Sequence, residues 1–145
     1  MMLAASRPEL PLFLHVLGAT LLIGAVASGA VLLLASGRAE EPAYLRRLGF
    51  RTLLLGALPA YLVMRIGAEW MYSREFGDAP EDPTWIGIGY GTADVGGLVF
   101  LVALVLSGIA SAKAKPGLAK VAGVLITLTL VAWLVAVWAM GGKPA

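Results

Sequence analysis

Charged residues disappear from this chain over long intervals. Residues 10–37 hold 28 consecutive positions without Asp, Glu, Lys or Arg, residues 121–142 hold 22, and residues 95–112 hold 18. A bilayer core about 30 Å thick takes roughly 20 apolar residues as a helix. Each of these runs therefore predicts a membrane span, and residues 51–69 form a fourth with polar exceptions inside it. The expected spans are 10–35, 44–70, 86–111 and 118–140, in a single membrane domain covering 1–145. The expected fold class is all-α: an integral membrane four-helix bundle with up-down topology and both termini outside.

The polar interruptions mark where these helices start and stop. Pro8 and Pro11 open the first span, because a proline in the first turn gives up an N–H that would be unpaired there anyway. Gly37, Arg38, Glu40, Glu41 and Pro42 make a short polar turn. Pro59 falls inside the second span and removes a backbone hydrogen bond, so a kink is expected near residues 55–58. Residues 73–84 (SREFGDAPEDPT) are the one hydrophilic loop, and residues 113–120 form a basic turn broken by Pro116 and Gly117.

Composition agrees with this reading. The chain is 59% hydrophobic and only 14% charged, against about 25% charged residues in soluble domains. A net charge of +2, spread along the chain, gives no footprint for nucleic acid. There is no cysteine, which removes disulfides, thiolate metal sites and covalent c-type haem attachment. The N-terminus lacks a basic stretch ahead of a short apolar core, so the first apolar run is expected to be a retained span and not a cleaved signal.

Orientation follows from lysine and arginine in the short loops. Arg38, Arg46, Arg47, Arg51, Lys113, Lys115 and Lys120 fall on one side; Arg7, Arg65, Arg74 and Lys143 fall on the other. The expected location is the cytoplasmic membrane of a bacterium, multi-pass, with loops 36–43 and 112–117 cytoplasmic and loop 73–84 external. Trp70, Trp85, Tyr90 and Trp138 then fall where an outer aromatic belt belongs.

Lipid supplies no hydrophobic drive for helix pairing, so close packing of small residues must supply much of it. Gly18, Gly24, Ser28 and Gly29 on the first span, and Gly91, Gly97 and Gly108 on the third, are the expected packing positions. Spans one and three are expected to make the tight contacts, with spans two and four bulkier. A homodimer or larger membrane complex is left open.

Four polar residues interrupt the apolar pattern: His15, Arg65, Glu69 and Asp94. Thr52 to Met64 is only 13 residues, about 20 Å of helix. Arg51 and Arg65 therefore cannot both reach water without snorkelling or a partner. Glu69 stands one turn after Arg65, in position for an i,i+4 ion pair. Asp94 is expected at a similar depth on span three, and His15 in the first turns of span one. Three uses compete for this cluster. It forms an ion-pair and hydrogen-bond clamp, or a haem or copper site using His15, or a titrating site for transport. Imidazole and carboxylates suit zinc or copper, helical bundles house haem, and Met64, Met71, Met140 or the His15 of a second subunit offers a second haem ligand. No Ser/His/Asp set, phosphate loop or HExxH motif is present. Gly87, Gly89 and Gly91 are no dinucleotide fingerprint, because no strand–turn–helix unit surrounds them.

The segment LFLHVLGATLLIGAVASGAVLL resembles the first span of small bacterial integral membrane proteins of unassigned function. These are loosely related to the membrane domain of copper-resistance protein D. His15-Val16-Leu17-Gly18-Ala19 matches their H-V-L-G-A pattern, and Gly24 matches one position of the W-x-G-G stretch that follows it. The resemblance implies a bundle of four or more helices in which the span-one histidine binds haem or copper. The expected role is a non-enzymatic structural or accessory membrane subunit. A haem- or copper-binding redox protein and a small proton-coupled transporter component are its rivals.

Overall fold

A computed structural model describes residues 9–77 and 84–142. Arg7, Pro8, Lys143 and half of the expected hydrophilic loop, residues 78 to 83, lie outside the described residues. Five α-helices occupy most of the rest: α1 (Glu9–Ala35), α2 (Pro42–Arg51), α3 (Leu58–Glu75), α4 (Thr84–Ala112) and α5 (Pro116–Gly141). A 3-10 turn, Ser36–Arg38, ends the first span. Together α2 and α3 make the second span, so four helical stretches are long and apolar enough to cross a bilayer. The chain is an all-α, multi-pass membrane protein.

The second span is interrupted between α2 and α3. Thr52–Ala57 forms a π-helical turn, in which the Leu58 amide donates to the Leu53 carbonyl five residues back. The cause is Pro59, which has no N–H to donate and whose ring crowds the preceding turn. One wide turn absorbs the defect while keeping the helix continuous. The disturbance thus falls at the predicted place and begins a few residues earlier.

α1, α4 and α5 are apolar on every side, with no polar stripe. Their outward faces carry large aliphatic groups such as Val31, Leu98 and Leu128, all more than half exposed, while Val26, Leu33, Leu53, Phe100 and Ile126 fill the interior. Exposed leucine and valine all around a bundle is the surface that lipid accepts. Hydroxyls inside the helices bond to their own backbone, as Thr20 does to the Val16 carbonyl and Ser107 to the Leu104 carbonyl. That leaves no unpaired donor facing hydrocarbon at these positions.

α1 packs against both halves of the second span and against α5; α4 packs against α5 and α2. Contacts between the first two spans run in opposite order along the two helices, from His15 beside Gly67, through Gly18 beside Met64 and Gly29 beside Leu53, to Leu33 beside Gly49. Span one makes its closest contacts with span two, and span three makes its closest contacts with span four. Gly18 and Gly29 face the second span, and Gly108 receives Phe50 of α2. Gly24 and Gly91 have open space where a side chain would begin, and Ser28 is exposed with its hydroxyl turned back to the Gly24 carbonyl. These three expected packing positions are corrected: they lie on outward faces, because the helix turns them away from the partner that Gly18 and Gly29 meet.

Candidate functional site

At one end of the bundle, α1 and α3 touch backbone to backbone. A Cβ on Gly67 would stand 2.5 Å from the His15 amide nitrogen, and one on Gly18 would run into the Met64 backbone. Each glycine removes the obstacle to the other helix. This approach places the His15 ring beside α3, where its Nδ1–H donates to the Met64 carbonyl at 3.1 Å. A carbonyl can only accept, so a proton sits on Nδ1, which in the neutral ring leaves the lone pair on Nε2.

α3 and α4 are joined differently. Their backbones make little close contact, and side chains one helical turn apart on α3 cross the gap. The Tyr61 hydroxyl donates to the Ala93 carbonyl at 3.1 Å. Gly97, lacking a Cβ, makes room for that phenol. The Arg65 guanidinium then meets Asp94 of α4 at 3.1 Å and Glu69 of its own helix at 3.2 Å. Its Cζ also stands 5.1 Å from the centre of the Tyr90 ring. Arg65 is mostly covered, with its side chain 24% exposed, while both carboxylates are more than half exposed. The cation is thus inside the helix gap and its counter-charges are at the rim.

Three of the four unusual polar residues therefore converge: Arg65, Glu69 and Asp94 form one network. His15 stands apart from it, bonded to Met64, yet both His15 and Arg65 line a common cavity of about 100 Å³ between the helices. α1 contributes Leu22 to its wall, α3 contributes Met64, α4 contributes Gly89 and Tyr90, and α5 contributes Trp133 and Met140. Beneath it, Tyr61, Phe100 and Trp133 pack with ring centres 5.9 to 6.3 Å apart. Trp133 is seated by Gly96, and its indole nitrogen is buried without an acceptor.

The space and the donor set bear differently on haem and on copper. An apolar cavity of about 150 Å³ holds a single benzene, so a porphyrin macrocycle does not fit a void of about 100 Å³. No group of three or more His, Cys, Asp or Glu side chains is placed to hold a metal among the described residues. His15, Met64 and Met140 do share the cavity wall, and one imidazole with thioethers is a donor set suited to copper(I).

Gly67, Tyr61 and Trp133 escaped the sequence reading. Gly67 has a detectable signal: with Ala60 it repeats a small residue at seven positions, on the face that meets α1. Tyr61 and Trp133 carry none, because an aromatic in an apolar helix reads the same whether it faces lipid or the interior. No protein-family model, curated protein or solved structure matches the chain.

Proposed function

We propose that this chain is a non-enzymatic membrane subunit of structural or accessory role. In this reading the four spans thread up and down through a bacterial cytoplasmic membrane with both termini outside. The His15 end is then the outer end, and the basic turns are cytoplasmic. The observation that carries the reading is the Arg65 bridge. It ties α3 to α4 where their backbones make little close contact, and it engages Glu69 and Asp94, the two carboxylates that a transport site would use. The sorting of lysine and arginine supports the orientation.

The test has two parts. A cysteine introduced at Asp78 should react with a membrane-impermeant maleimide on intact cells; reaction only after permeabilisation reverses the orientation. Cross-linking in native membranes followed by mass spectrometry should recover a stoichiometric partner protein. A chain that remains monomeric and unpartnered there contradicts the accessory role.

A second reading has its own support. His15 is oriented as metal-ligating histidines usually are, one ring N–H held by a backbone carbonyl and the other nitrogen left open. If copper(I) binds, His15, Met64 and Met140 would hold it, and the metal would supply one-electron chemistry. The resemblance of the first span to copper-resistance membrane domains points the same way. Detergent-purified protein reconstituted with copper(I) decides it. Stoichiometric metal lost in His15→Ala supports this reading, and metal-free protein after reconstitution ends it.

A further inference from the structure

The opposite end of the bundle holds a second arginine under different conditions. Seven lysines and arginines lie toward this end: Arg38 after α1, Arg46, Arg47 and Arg51 on α2, Lys113 and Lys115 after α4, and Lys120 in the first turns of α5. Six of them are exposed. Both ion pairs found among the described residues belong to Arg65 at the far end. Glu40 and Glu41, the acidic residues of the basic end, are exposed and join no ion pair there. Arg46 is the exception to the exposure: it is 7% exposed, and its Nε is sealed from solvent with no acceptor in reach.

The burial has a plain cause. α2 packs on α1 and α4, and Arg46 shares a helical face with Gly49 and Phe50. Gly49 sits against Leu33 of α1, and Phe50 against Gly108 of α4. The same face carries Arg46 in between the two helix ends. A largely covered arginine without a counter-charge is costly; no ion pair among the described residues reaches Arg46, and of its three guanidinium nitrogens only Nε is sealed without a partner. An anion arriving from outside would offset that cost. The planar fork of arginine matches the oxygens of a phosphate group. The lipid-facing leucines and valines around the bundle put one source of phosphate beside the site: the headgroup layer of the membrane itself.

We propose that Arg46 anchors the phosphate of an anionic phospholipid at the basic end of the bundle. The six exposed cations of that end add long-range attraction, and Arg46 supplies the specific contact. The site is separate from the Arg65 bridge and the His15 cavity, and it does not depend on the role proposed for either.

The full-length protein, purified in a neutral detergent, is titrated with phosphatidylglycerol, with phosphatidylcholine and with inorganic phosphate. Thermal unfolding and native mass spectrometry are the readouts. A saturable upward shift with retained lipid is expected for phosphatidylglycerol alone. Arg46→Gln is expected to weaken it by about 10- to 100-fold, as loss of a charge-assisted hydrogen bond does. Arg47→Gln, exposed on the next residue, should weaken it by about fivefold or less. Arg46→Lys keeps the charge, serves as a check on folding, and should fall between wild type and Arg46→Gln. Equal loss at Arg46 and Arg47 would overturn the proposal in favour of diffuse charge attraction. An equal shift with phosphatidylcholine would also overturn it, and the same saturable shift with inorganic phosphate would make the site one for a free anion.

Discussion

The bundle treats its two covered arginines in opposite ways. Arg65 reaches two carboxylates and the face of a tyrosine. Arg46 is buried more deeply and makes no ion pair among the described residues. The difference lies in how each helix is seated. α3 is pressed by glycines against α1 and stands off from α4, so long side chains must fill the second gap, and a charged one with partners across it is a stable solution. α2 is wedged between two helix ends, and burial there follows from its apolar neighbours on the same face. One arginine is placed by its partners; the other is placed by its neighbours in sequence. The same residue type in the same span thus serves as an internal tie at one end and as an unmatched charge at the other.

The largest effect is expected from breaking the backbone contact that sets the Arg65 end. Gly67→Leu and Gly18→Leu should each cost about 3 kcal/mol, at the upper end of overpacking penalties, and both should lower the unfolding temperature in detergent by many degrees. If either is neutral, α1 and α3 do not meet as described. Next comes the bridge. Arg65→Leu is expected to cost about 1–2 kcal/mol, because the pairs it breaks are partly exposed. The further changes Glu69→Gln and Asp94→Asn should recover part of the loss, since they remove the stranded carboxylates. Arg46→Met, measured in a neutral detergent without anionic lipid, should cost less than Arg65→Leu. The reverse ranking would erase the distinction between the two ends.

A smaller effect sharpens the description of the basic end. Ala114, after α4, has a φ of 51°, in the left-handed region, and the Lys115 amide behind it bonds to the Ala110 carbonyl at 3.1 Å. This is a helix stop that glycine fits better. Ala114→Gly should therefore stabilise by about 1 kcal/mol, read as a higher unfolding temperature. Smallest of all, Gly24→Ala and Gly91→Ala should stay within about 0.5 kcal/mol of wild type. A clear loss of stability or a change of oligomeric state in either would make these outward glycines an interface.

Much of the site was legible in the chain and part was not. Arg65, Glu69 and Asp94 stand out because lipid makes every charge conspicuous, and the i,i+4 spacing of Arg65 and Glu69 is local geometry. That Asp94 closes the bridge needed only the similar depth of two neighbouring spans. His15 was legible as unusual, but its bond to Met64 was not. It depends on Gly18 and Gly67 facing one another, which is a matter of helix rotation. Among the glycines, sequence spacing offered Gly24 and Gly91 on the same terms as Gly29 and Gly97, and the fold used only some of them.

What the sequence determined by itself is the solvent, the number of spans and the position of the break in the second one. These depend on run length against bilayer thickness and on the missing N–H of Pro59, both local properties of the chain. The tertiary structure alone decided which helices are neighbours, which glycines meet a backbone, and which arginine is paired. An apolar helix in lipid has no polar face to announce its orientation. Its rotation is set only when side chains of two helices fill one another's gaps.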